Sequence, residues 1–586
     1  MAGKERKNRD KKKSVKRQNI TALLLGIVML ILLNVISFFV FHRIDLTSEK
    51  RYSLSPATKK ILKDLDDIVY FKIYLDGEFP AGFKRLRNET KEMLDEFRAY
   101  SDNIQYEFID PTAISDKKDR NSLYRQLVEK GLVPTQLQVK KEEGSSQQLI
   151  FPGAIVGYRQ KEIPVQLLIS QVNTPPEAVL NTSVQSLEYN LANSIRKLTS
   201  VLKPSIAFIE GHGEVNKFET ADITAALEEY YAVERVRIDE KLNSLTERNS
   251  KDTNNVKIRN KFDAIIIAKP DSAFSEKDKF IIDQFVMRGG KVLWLIDPVF
   301  ASMDSLQVHS ETMGVAMPLN IEDQLFKYGV RLNSNLVMDV SSLPIPIRTG
   351  QMGNKPQFDF FPWFYFPIIT PTINHPIVSS LNAVKTEFIS SLDTVKAEGI
   401  KKTVLLQTSK YSRLVNVPAM ITLDILKKEP DERLYRGPSQ SVGVLLEGSF
   451  QSLYKHRLTP EISENKEIGF IPDGKPSKMI VISDGDVIKN FYDYSKGTPY
   501  PLGYDRYTRE TFGNKDLILN AIDYLCDDAG VISVRSRELK LRMLDMTRVN
   551  KSKVLIQLVN VLIPVIIVLL FGLIQGYLRK RKYVKM

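Results

Sequence analysis

Residues 263–298 read DAIIIAKPDSAFSEKDKFIIDQFVMRGGKVLWLIDP. Asp263 to Ala268 is a short, continuous apolar run, the pattern of a strand buried on both faces. Ser275 to Arg288 predicts a helix, with Ser275 and Asp278 in capping-box positions and Gly289-Gly290 at its end. Lys291 to Ile296 predicts a second buried strand, closed by Asp297-Pro298. Strand, helix and strand in this order, with near-continuous apolar strands, argue an α/β fold built on a parallel, doubly wound sheet.

The pattern extends both ways. Upstream, Ser205 to Ile209 predicts a strand that ends in Glu210-Gly211-His212-Gly213-Glu214. A helix through Leu227 and a strand at Val233–Ile238 follow, and the polar residues 241–258 read as a mobile loop. Downstream, Met479 to Ser483, ending in Asp484-Gly485-Asp486, and a helix from Lys515 to Cys526 have the same character. They are expected to complete the sheet. The α/β domain would then comprise residues 201–300 and 471–530, with an insertion at 301–470. Inside that insertion Phe358 to Phe366 holds seven aromatics in nine positions, including Trp363. Packing in the insertion's core is the expectation, since large apolar groups are normally buried. The alternative is a partner surface.

Residues 42–200 form a separate unit. An entry segment at 45–60 leads to a strand at Ile68–Leu75, enriched in β-branched and aromatic residues. Phe83, Leu86, Met93, Leu94, Phe97 and Tyr100 then recur at helical spacing, and Ile104 to Ile109 is a second strand. Further strands are expected around 136–142, 148–158 and 162–169, and a helix at 184–199. The β-α-β layout is similar to a thioredoxin-like fold, without the redox motif.

Two uncharged runs flank this body. Residues 20–41 and 554–577 each reach the roughly 20 residues that span a bilayer core of about 30 Å. No small-residue cleavage site follows the first, so it is expected to be an uncleaved transmembrane helix. In the second, Gln557, Asn560, Pro564 and Gln575 fall on one narrow arc at 100° per residue. A polar stripe facing lipid is costly, so this arc is the expected partner face.

Charge orients these segments. The chain of 586 residues carries +13, but residues 1–19 hold +7 of it and residues 578–586 hold +5. Everything between is near neutral, which argues against nucleic acid as a partner. Basic flanks stay cytoplasmic. The expected topology is two spans with both tails (1–19 and 578–586) cytoplasmic and the body outside. The basic juxtamembrane segment 531–553 cuts against this for the second span taken alone.

Several chemistries lack their residues. One cysteine, Cys526, excludes an internal disulfide and any multi-cysteine zinc site. There is no GxxxxGK[ST], no HExxH and no GxSxG in the sequence. No catalytic residue and no cofactor are therefore expected. In open α/β sheets ligands bind beyond the carboxyl ends of the strands. Glu210, His212, Glu214, Asp297, Asp484 and Asp486 all follow predicted strand ends. Together they are the candidate ligand cleft for a divalent cation or a cationic group. The competing reading is turn and cap chemistry.

The anchor, Glu210-Gly211-His212-Gly213-Glu214, Gly289 to Pro298, Leu446-Glu447-Gly448-Ser449-Phe450, Gly513-Asn514-Lys515-Asp516 and the final span together resemble the gliding-motility-associated ABC transporter auxiliary (substrate-binding-like) proteins, the GldG family. The resemblance covers nearly the whole chain, and the order of the motifs carries it. It implies an inner-membrane protein of gliding bacteria of the Bacteroidetes type, with a periplasmic body. It also implies an ABC permease and a separate ATPase as partners, with periplasmic motility or secretion components beside them. The α/β unit is also similar to Rossmann-like, glutamine-amidotransferase-like domains, but Cys526 lies inside a predicted helix rather than on a nucleophile elbow. A non-enzymatic auxiliary subunit is the leading expectation. A membrane-tethered receptor for a small solute or glycan comes second, and a periplasmic hydrolase is the weaker alternative.

Overall fold

The computed structural model describes residues 20–35, 53–141, 144–169, 174–200, 203–249, 257–352, 355–427, 431–527, 530 and 546–583. The chain divides into two units, the terminal segments (1–53 and 539–586) and a body (54–538). It is a mixed α/β protein with parallel-rich sheets.

The body opens with a four-stranded sheet of β1 (Val69–Ile73), β2 (Ile104–Phe108), β3 (Gly153–Tyr158) and β4 (Lys161–Gln166), in the order β2-β1-β3-β4. β1 and β2 are parallel, and the other pairings are antiparallel. Parallel neighbours need a crossover, and the helix Ala81–Arg98 supplies it. Phe71, Leu94, Val156 and Leu191 share its core. Two details differ from the sequence reading. The run 148–158 is broken, because Gly153 N–H donates to Phe151 O across Pro152, which has no amide hydrogen of its own. The helix expected at 184–199 is two helices, Pro176–Gln185 and Leu187–Thr199, meeting at Ser186.

The second sheet has seven strands: β5 (Ser205–Glu210), β6 (Ala232–Arg237), β7 (Ala264–Ala268), β8 (Lys291–Leu295), β9 (Ile400–Gln407), β10 (Ser441–Gln451) and β11 (Asp473–Ile482). Their order is β9-β10-β11-β8-β7-β5-β6. From β11 to β6 every pairing is parallel. Side chains alternate between faces. Ile266 and Leu293 meet Ile223 and Leu517 from the helices Ala221–Glu228 and Asn514–Cys526 on one face. Ile265 and Trp294 meet Phe285 from Glu276–Met287 on the other. Both faces are covered, which is why these strands read as unbroken apolar runs.

β9 and β10 correct the expected insertion of 301–470. Both lie inside that range, yet they extend this sheet as antiparallel strands, with β9 at its edge. Val442 to Leu446 is buried throughout, so β10 carries the same apolar signal as the parallel strands. The expected loop 241–258 is corrected as well: Thr246–Asn249 and Lys257–Asn260 pair antiparallel, satisfying their backbone although their side chains, Ile258 apart, are polar.

Between β8 and β9 lies a long antiparallel ribbon, Ser342–Met352 with Lys355–Ile369, to which the short strand Val384–Lys385 adds a third strand. The aromatic run divides along it. Trp363, Phe364, Tyr365 and Phe366 are buried against Leu336, Met338 and Ile421, whereas Phe358 and Phe360 are 51% and 53% exposed.

In the terminal unit, Gln557–Arg581 is long and apolar enough to cross a membrane, and Ile20–Val35 is a shorter apolar helix. Residues 1–19, 36–41 and 531–545 lie outside the described residues, so the first tail, the end of the first expected span and most of the juxtamembrane segment are not described. The C-terminal helix begins earlier than the expected span, at Met546, and runs to Tyr583 with Pro564 inside it. Gln557, Asn560, Pro564 and Gln575 all lie on this helix and are exposed within the unit.

Candidate functional site

β8 and β11 are neighbours, so the turns that leave their carboxyl ends lie side by side. One turn carries Asp297 and the other carries Asp484-Gly485-Asp486. The three carboxylates approach within 4.8 Å of one another. The residue after β7, Lys269, reaches into this cluster. Its Nζ lies 2.9 Å from Asp297 Oδ2 and also donates to Asp486 Oδ2. Asp297 Oδ1 accepts the Gly485 N–H at 2.5 Å. Asp484 accepts from the amides of Asp486 (2.7 Å) and Glu387 (2.9 Å).

Burial sets the electrostatics of this cluster. It pushes the Asp484 carboxyl well above the ordinary carboxylate range, and the neighbouring Asp297 and Asp486 add to the rise. Burial raises Asp297 too, against the opposing pull of Lys269. Burial also works against the Lys269 ammonium, but Asp297 and Asp486 outweigh it and hold its pKa above the usual lysine value.

Asp486 is also part of the lining of a cleft of about 370 Å³. Glu387, Lys489 and Arg506 bring charge of both signs to it, and Tyr492 and Tyr504 bring aromatic surface. Burial and Asp486 raise the Glu387 carboxyl. Lys489 pairs with Glu219 at 2.9 Å. The Arg506 guanidinium sits 4.0 Å from the Phe491 ring centroid. Clefts of roughly 300–1,000 Å³ hold small ligands.

The remaining candidates do not join this cluster. Glu210 accepts from Arg235 Nε at 2.5 Å, and Arg235 also donates to Val215 O and Thr220 Oγ1. His212 lies between two carboxylates, with Nδ1 3.1 Å from Glu214 and Nε2 3.1 Å from Asp278. Its ring stacks on Phe274 at 3.7 Å. Burial opposes the charged imidazole, but Glu214 and Asp278 leave its pKa raised. At 4% exposure, with both ring nitrogens engaged, His212 clamps its own loop and is not presented to the cleft.

The six candidates therefore fall into three groups: Glu210 with Arg235, His212 with Glu214 and Asp278, and the three aspartates with Lys269. Sequence reasoning missed Lys269, Asp278 in this role, Glu387 and the whole loop 489–507. Lys269-Pro270 at a strand end was a legible signal. Asp278 was hidden by its cap position: Ser275 Oγ does accept the Asp278 N–H at 3.1 Å, but the Asp278 carboxylate turns to His212 and the Glu240 amide.

Comparison with known proteins adds four findings. Residues 203–521, more than half of the chain, match the family described as an ABC-type uncharacterized transport system. Residues 48–157 match a domain of unknown function. An uncharacterized protein of Borreliella burgdorferi is 23% identical over 576 residues, covering 96% of this chain and 98% of that one. The solved "mmIFT52 N-terminal domain" aligns with 55% of this chain and 96% of its own at 13% identity, with a TM-score of 0.30, too low to imply a common fold.

Proposed function

Because the chain belongs to the family of ABC-type uncharacterized transport system proteins, as an auxiliary component, we propose that it is a non-enzymatic, membrane-anchored subunit that works beside a separate permease and a separate ATPase. The family match across β5 to the helix Asn514–Cys526 carries this reading. In it, both apolar helices span the bacterial inner membrane, both termini are cytoplasmic and the body is periplasmic. The arc of Gln557, Asn560, Pro564 and Gln575 packs on the permease. A thioredoxin-like N-terminal unit and a Rossmann-like unit present the cleft to a ligand or protein partner. The resemblance to the gliding-associated family extends the reading to a role in gliding motility.

Co-purification of the tagged full chain from mild detergent, followed by mass spectrometry, tests it. A permease and an ATPase are the expected companions, and recovery of neither overturns the proposal. The cleft supports a second reading, a membrane-tethered receptor for a small solute or glycan. That reading predicts saturable binding without the permease, lost when Tyr492 and Tyr504 are both changed to Ala.

A further inference from the structure

We propose that Lys269 is a built-in counter-ion: its ammonium stands where a divalent cation would otherwise be needed among Asp297, Asp484 and Asp486, and it positions the loop that floors the cleft. The inference concerns the cluster itself and stands apart from what the cleft binds.

Carboxylates whose oxygens lie within 4.8 Å of one another repel strongly where water is excluded, and such sets commonly hold a hard cation through oxygen ligands. Here the cation is covalently part of the chain. Lys269 Nζ bonds to both Asp297 and Asp486, drawing together the turns that follow β8 and β11. Asp484 is held from the other side by the backbone amides of Asp486 and Glu387.

The backbone is bent to serve this contact. Lys269 has φ 51°, in the left-handed region, and it precedes Pro270. A residue with a Cβ resists that region, and a following proline disfavours helical backbone further. Gly485 completes the fit. A Cβ there would lie 2.4 Å from Lys269 Cβ, so only glycine lets the loop rest on the lysine stem. The same loop continues through Asp486 to Lys489, Asn490 and Phe491, which line the cleft. Lys269 lines no part of it, and so acts as a positioning residue.

The test uses the full chain in mild detergent, with unfolding followed by tryptophan fluorescence in calcium, in magnesium and in EDTA. Wild type is expected to show the same midpoint in all three. Lys269→Met should lower the midpoint by more than about 5 °C, and calcium should recover most of that loss. The double variant Lys269→Met/Asp297→Asn should regain stability and ignore calcium. A wild-type midpoint that moves with calcium or EDTA overturns the proposal. So does a Lys269→Met protein that keeps its midpoint, or that calcium does not rescue. Where Lys269→Met gives no folded protein, the double variant decides: a folded double variant supports the counter-ion role, and an unfolded one overturns it.

Discussion

His212 shows how a single side chain sets a pH response. Glu214 and Asp278 hold its imidazolium, so its folded pKa lies above the ordinary histidine value near 6.5. A raised folded pKa means that the native state holds the proton more tightly than the unfolded chain. The resulting stability is complete below about pH 6.5 and is lost as pH rises through the folded value. Urea midpoints measured on either side of neutrality should therefore fall with rising pH, and His212→Gln should flatten that slope. An unchanged slope in the variant would exclude His212 as the source. Next to it, Gly213 has φ 72°, and a Cβ there would lie 1.6 Å from Asp271 Oδ1. Gly213→Ala should cost about 1–3 kcal/mol through the left-handed backbone alone, readable as a lower thermal midpoint. The Gly-flanked histidine was legible as a turn feature of interest. Its partner Asp278 lies 66 positions away, a separation that no local pattern encodes.

At the level of elements, buried strands and their covering helix were the most legible parts of the chain. Trp294 on β8 is fully buried, and Trp294→Ala should cost about 3–5 kcal/mol in urea unfolding. Both tryptophans, Trp294 and Trp363, are inaccessible. Iodide should quench the native fluorescence weakly, and strong quenching would contradict the burial of the aromatic run. Less legible was the clamp between the helix Glu276–Met287 and the end of β10. Asp283 accepts from Tyr328 Oη (2.8 Å), Ser452 Oγ (2.6 Å), Leu453 N (3.0 Å) and Gln284 Nε2 (3.0 Å). Asp283→Ala strands these buried donors, each costing about 1–3 kcal/mol when left unmade. It should destabilise the body far more than a surface Asp→Ala, by the same urea measurement. The antiparallel strands β9 and β10 escaped the sequence reading because antiparallel pairing needs no crossover helix, so no strand–helix alternation announced them. The ribbon shows the converse. Pro344 and Pro346 lie on Ser342–Met352, at the edge of its sheet, where the missing amide hydrogens cost the ladder least.

In the whole body, the N-terminal unit meets the last helix of the second sheet through a buried ionic cluster. Arg196 and Lys197 each lie 3.7 Å from Asp523, and Tyr231 Oη donates to Asp523 at 2.5 Å. Burial drives the Lys197 pKa down against the pull of Asp523. Removing one partner of such a buried set leaves the others uncompensated, so Asp523→Ala should cost about 3–5 kcal/mol. Denaturant unfolding of wild type and variant measures this, and a loss below about 1 kcal/mol would mean that the cluster behaves as a surface pair. Features that depend on neighbours along the chain are readable from residue order: the apolar terminal segments, the buried parallel strands, the helix caps and the turn residues at the strand ends. Periodicity and capping are local, and they survive without knowledge of the fold. Which strand ends meet follows from the folded sheet alone. The tertiary fold separated Glu210 and His212 from the aspartates, drew Lys269 in among them, and added β9 and β10 to the sheet. Each of these depends on strand order, which is set by burial over the whole body rather than by any stretch of residues.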